Sequence, residues 1–104
     1  MPNCQHLPLL HCPGPLTNIA YALKKNPAVA DKISSIWWMG GTLRHPGNIF
    51  NNSNSDGTAE WNVFADPQAA AVVWDSKVPV TLVPLDATNK VRQITVPCTK
   101  RVKA

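Results

Sequence analysis

Glu60 and Asn62 stand two residues apart at the far end of a long polar loop, and Asn48 stands near its start. A carboxylate that accepts, with two amides that both donate and accept, can meet the hydrogen-bonding demands of a hydroxyl-rich ligand. The loop leaves an apolar run, "WWMGG", through Gly40 and Gly41, which allow a tight exit and close backbone approach. Side chains two apart on an extended segment project to one side. If the run is a strand, Glu60 and Asn62 would face one ligand together, with Asn48 approaching from the other end of the loop. That run also reads as the entry to a helix. The same residues also suit ordinary loop duty, and spacing alone does not decide.

Other residues have simpler readings. Asp66, followed by Pro67, suits the cap and first position of a helix. "NNSNSDG" reads as a turn-rich surface excursion. His45 beside Pro46 is an exposed loop histidine, and Trp37 and Trp38, on opposite faces of a strand, are core residues rather than a nucleobase platform. Asp86, at the end of an apolar run, suits either structural duty or the site. Cys4, Cys12 and Cys98 lack metal-ligand spacing, and no second pair completes a zinc site with His6 and His11. There is no Ser-His-Asp set and no glycine-rich phosphate loop.

The elements that must position these residues follow from the apolar pattern. "LPLLHC" is a short buried strand interrupted at Pro8 and ended by "PGP". Leu16, Ile19, Ala20 and Leu23 recur at helical spacing, with Thr17 or Asn18 as cap and Pro27 as stop. "AVADKI" gives a further short helical turn. "ISSIWWMGG" reads as a strand, its nearly continuous apolar run being typical where both sheet faces are covered. "DPQAAAVVWDSK" is a helix, "VPVTLVPLD" a strand ending at Asp86, and "RQITVPC" an edge strand. This alternation predicts βαβ units with right-handed crossovers and a parallel sheet. Ligands of such sheets sit beyond the carboxyl ends of the strands, where "CPGP", "MGG" to Asn62, and Asp86 all arrive. Two or three strands make a thin sheet, with one face left bare.

At 104 residues the chain fits one domain, 1–104, and its formal net charge is +4. The segment 90–104 is a basic C-terminal tail, with Lys90, Arg92, Lys100, Arg101 and Lys103 and no acid. It reads as solvated surface rather than a nucleic-acid footprint. "LPLL" is far too short for a membrane span. An odd number of cysteines with no secretory signal predicts reduced thiols and a cytoplasmic protein.

Five segments in register resemble one family. "GPLTNIAYAL" at 14–23, "MGG" at 39–41, "PGN" at 46–48, "AEWNVFADPQAA" at 59–70 and "VPVTLVPLDAT" at 78–88 are similar to inosine–uridine-preferring nucleoside hydrolases. The resemblance implies a partial three-layer α/β fold, with a parallel sheet and flanking helices. It also implies hydrolysis of the N-glycosidic bond of ribonucleosides to ribose and base, with one bound Ca²⁺. It carries ribose contacts to Asn48, Glu60 and Asn62, a sugar-pocket methionine to Met39, and a calcium-binding carbonyl to Pro13. Asp86 matches a recurring aspartate at a strand end. The match covers only the middle of the usual family chain. The aspartate cluster that binds calcium and supplies the general base has no counterpart here, nor have the later His and Asp. The expectation is an incomplete site, little or no turnover alone, and a homo-oligomer or a completing partner chain. A small ribose- or nucleoside-binding module is the remaining reading.

Overall fold

The structure is a computed structural model that describes residues 6–91. Strand β1, Leu9–Cys12, starts directly after Pro8. Helix α1, Thr17–Lys25, ends in Lys24 and Lys25, where positive charge favours the helix C-terminus. A 3₁₀ helix, Pro27–Lys32, follows, with the Asn26 side chain accepting from the Ala28 N–H. Then come β2, Ser35–Met39, the long loop, and two helices in close succession: α2, Trp61–Ala65, and α3, Pro67–Trp74. Strand β3, Val80–Val83, and a single-turn helix, α4, Leu85–Thr88, complete the described chain.

The three strands are parallel in the order β1-β2-β3, so β2 is central. Register sorts the side chains by face. Leu10, Ile36 and Val80 lie abreast, as do Cys12, Trp38 and Leu82, and both rows belong to the core or pack against it. Ile36 is fully buried and Trp38 is 3% exposed. The indole N–H of Trp38 donates to the Gly14 carbonyl at 3.0 Å, so burying the ring strands no donor. Leu16, Ala20 and Leu23 from the α1 side, and Ala69 and Val73 from α3, close this face. The small side chains of Ala20 and Ala69 sit where α1 and α3 pack together. Burial raises the pKa of the Cys12 thiol, which keeps it a protonated core group rather than a nucleophile.

The opposite face carries the row His11, Trp37 and Thr81, all exposed, and Leu9 is exposed too. The apolar run through β2 is thus covered on one side only among the described residues. These residues build two layers, a sheet and its helices.

Four expectations change in detail. Trp37, expected in the core with Trp38, is 46% exposed. Neither Thr17 nor Asn18 caps α1. Leu16 holds that position without a side-chain bond, and the Thr17 hydroxyl donates instead to Asp66 at 2.8 Å. The segment holding Glu60 and Asn62 is not extended, because α2 begins there. Strand β3 stops at Val83, before Pro84, which has no N–H for a ladder, so Asp86 belongs to α4 rather than to a strand end. The edge strand expected at "RQITVPC" lies outside the described residues, as does the basic tail beyond Val91. Asp66 does cap α3: its carboxylate accepts the Ala69 N–H at 2.9 Å, with Pro67 in the first turn.

A one-faced core makes unequal demands on neighbouring residues. Replacing Ile36 by Ala is expected to cost about 2–5 kcal/mol, while Trp37→Thr should stay within about 0.5 kcal/mol. Urea unfolding of the two variants measures this, and equal losses would show that both faces are packed.

Candidate functional site

Every candidate from the sequence comes to the carboxyl end of the sheet except for the outer part of the loop. The organising group is Glu60, which is 2% exposed. It is the N-cap of α2: Oε1 accepts the Asn62 N–H at 2.9 Å, and Oε2 accepts the Val63 N–H at 3.2 Å. The same Oε2 accepts the Gly41 N–H at 2.9 Å, just past β2. A carboxylate at a helix N-terminus satisfies amides that the helix leaves without partners and suits the local dipole. Gly41 has a φ of +69°, a conformation that suits glycine, and this turn brings its N–H to Glu60.

Asn62 does the complementary work. Its Nδ2 donates to the Met39 carbonyl at 2.9 Å and to the Pro13 carbonyl at 3.1 Å, with Met39 Sδ at 3.3 Å. One amide thereby ties the end of β2 to the residue after β1. Its Oδ1 takes no hydrogen bond among the described residues. Asn48 is exposed, and its Oδ1 accepts the Trp61 N–H at 2.8 Å, another free amide of the first turn of α2. Its Nδ2 has no partner among the described residues. Two polar atoms, an acceptor on Asn62 and a donor on Asn48, therefore remain for a ligand, while Glu60 is committed to backbone.

The loop between Gly41 and Glu60 is held at several points. Gly47 N–H donates to Gly57 O at 2.9 Å, and Asn48 N–H to Ala59 O at 3.0 Å. A Cβ at Gly47 would lie 2.1 Å from the Ala59 carbonyl oxygen, so only glycine fits. Asp86 receives the Leu43 and Arg44 N–H groups, each at 2.8 Å. Those two bonds hold its carboxyl down at a pKa of about 2. His45, expected as a loop histidine, is exposed and touches the Pro46 carbonyl and the Asn89 amide.

The sequence pattern brings Asn48, Glu60 and Asn62 to one edge of the sheet but does not show the bonds that hold them there. Glu is not a favoured N-cap type, so nothing local announced the Glu60 cap. The contacts from Asp86 to Leu43 and Arg44, and from Asn62 to Pro13, join residues far apart in the chain and leave no periodic signal.

The family model described as inosine-uridine preferring nucleoside hydrolase matches residues 7–104. The chain belongs to this family. The pyrimidine-specific ribonucleoside hydrolase RihB of Escherichia coli O1:K1 / APEC is 44% identical over 77 residues, which are 74% of this chain and 22% of that protein. A RihB chain from Shigella boydii serotype 4 shows the same identity, with 29% of its length covered. An inosine-uridine preferring nucleoside hydrolase from Bacillus anthracis superposes with a TM-score of 0.76 at 45% identity, covering 81% of this chain and 28% of that one. A purine-preferring ribonucleoside hydrolase from Gardnerella vaginalis does so at 0.63 and 41%, covering 75% of this chain and 23% of its own. The chain thus spans less than a third of the family members it matches.

The calcium expectation meets a shortage of ligands. Ca²⁺ takes roughly six to eight oxygens. The Pro13 carbonyl already accepts from Asn62, and no group of three or more His, Cys, Asp or Glu that could hold a metal occurs among the described residues. These residues do not make a calcium site by themselves.

Two substitutions test the hydrogen-bond web. Glu60→Gln turns an amide N–H₂ toward backbone donors and is expected to cost about 1–3 kcal/mol in urea unfolding. A neutral result would mean that the carboxylate is not the cap that holds α2 to Gly41. Asp86 has a depressed pKa, so its stabilisation is full above the ordinary value of 3.8 and is lost as pH falls through about 2. The stability gap between wild type and Asp86→Asn should be constant above pH 5 and close toward pH 2. A gap that ignores pH would refute the role of the charge.

Proposed function

We propose that this chain supplies the sugar-binding part of a ribonucleoside hydrolase site, with ribose held between Asn48 and Asn62 and with Met39 alongside. The observation that carries the reading is the convergence of Asn48, Asn62 and the Pro13 carbonyl beyond the ends of β1 and β2 in a member of this family. Among the described residues Asn62 Oδ1 and Asn48 Nδ2 are without partners, and they suit sugar hydroxyls that donate to the one and accept from the other. Glu60 contributes by fixing Asn62 and Gly41, and direct sugar contact would require it to share an oxygen already used by backbone.

Hydrolysis breaks the C1′–N bond. The base leaves with the electron pair and takes up a proton, while water loses a proton and bonds to C1′. The sugar passes through an oxocarbenium-like state, which ribose contacts help to orient and distort. Among the described site residues no carboxylate is free to activate that water, because Glu60 accepts three backbone N–H bonds and Asp86 two. The activating group must come from outside them. The Ca²⁺ that the resemblance implies would draw one carbonyl from Pro13 and its other oxygens from elsewhere.

Base preference also lies elsewhere in the domain. Relatives named as pyrimidine-specific and as purine-preferring each match about three quarters of this chain, at 44% and 41% identity. The exposed row of His11, Trp37 and Thr81, with Leu9, favours completion by further polypeptide, either a partner chain or another copy. No helix among the described residues is long and apolar enough to cross a membrane. A reducing, cytoplasmic setting suits Cys12, which is free.

Ribose release from inosine and uridine, with Ca²⁺ and with chelator, tests the reading. The chain alone is expected to release none above the level of an Asn48→Ala, Asn62→Ala double variant. Calcium-dependent release that the double variant abolishes would place the missing catalytic groups within this chain.

A further inference from the structure

We propose that Asp86 is a positioning residue for the site, setting the place of Asn48 from beyond the carboxyl end of β3. The step rests on the reading of Asn48 as a sugar contact, but its first test does not.

Asp86 is itself well fixed. It follows Leu85, which is 3% exposed and whose N–H donates to the Gly41 carbonyl at 3.0 Å. From that anchor the two carboxylate oxygens take one backbone N–H each, from Leu43 and Arg44, and the Thr42 hydroxyl lies 3.4 Å from Oδ1. The turn that follows is short. Three residues after Arg44 the chain reaches Gly47, packed against Ala59 too tightly for any Cβ, and then Asn48. Asn48 Oδ1 meets the Trp61 N–H at 2.8 Å. A run of bonds therefore leads from β3 and α4, through the 42–46 turn, to the first turn of α2. Long loops without their own secondary structure are usually functional or disordered. This one is ordered at its start by Asp86 and at its end by Glu60, and Asn48 lies between those two carboxylates.

The consequence is a division of labour. Glu60 fixes Asn62 directly, while Asp86 acts on Asn48 through the turn, in addition to the bond from the Asn48 N–H to Ala59 O. Asn at position 86 would keep one acceptor but face the second backbone N–H with a donor. The turn would then lose one charged hydrogen bond while the apolar core is untouched.

The experiment is amide hydrogen exchange on wild type and Asp86→Asn, without ligand, followed by ribose titration of both. The Trp61 amide is expected to exchange faster in the variant by about tenfold or more, the size set by losing a hydrogen bond to a charged acceptor. The amides of Ile36 and Trp38 in β2 should be unchanged, and the ribose Kd should rise by a similar factor. Unchanged exchange at Trp61 would overturn the proposal. So would equal acceleration at Trp61 and in β2, which marks general destabilisation. A wild-type chain that binds no ribose would refute the sugar-site reading, and the exchange result would still decide the part played by Asp86.

Discussion

A single buried carboxylate joins the parts of this structure that matter for function. Glu60 accepts backbone N–H groups from Asn62, Val63 and Gly41, so it caps α2 and holds the exit of β2 at once. A carboxylate removed from water needs such donors, since burying it without them is costly. The requirement runs in the other direction too. The first amides of α2 and the N–H of Gly41 would be left without acceptors if the carboxylate were absent. Asn62 then hangs from the capped helix with its amide on the Met39 and Pro13 carbonyls, and the ends of two parallel strands are drawn together.

From that linkage the shape of the site follows. Ligands of parallel sheets gather beyond the strand ends, and here that edge is closed by backbone already satisfied from within. Among the described residues, one amide oxygen on Asn62 and one amide nitrogen on Asn48 stay open there. This suits recognition of a hydroxyl better than proton transfer. The proposed role, holding a sugar without breaking its bond to the base, is that of a chain spanning less than a third of the relatives named above. The exposed β2 residue Trp37 tells the same story from the packing side, since parallel sheets are normally covered on both faces.

Much of this was legible in the residues. The strands, α1 and α3 follow from apolar spacing, and Asp66-Pro67 announced the start of α3 because an N-cap and an N1 proline are local signals. The motifs placed Asn48, Glu60 and Asn62 near one edge. The short helix α2 was only half legible: the run reads as a strand or as the entry to a helix, since five residues carry too little periodicity and a glutamate is a poor herald of a helix. The extended reading of "AEWN" therefore failed. The end of β3 at Val83 could have been read from Pro84, which cannot join a ladder. The partners of Asp86 could not, because bonds across more than forty residues depend on the finished fold.

The account stands or falls on the atoms left open at Asn48 and Asn62. The most direct measurement is a ¹⁵N-resolved NMR titration of the chain with ribose, following the side-chain amides of both asparagines. Saturable shifts at these two amides and at Gly41, with the Trp37 indole unmoved, are the predicted result. Shifts confined to the Trp37 face, or none at saturating ribose, would contradict a sugar site at the strand ends.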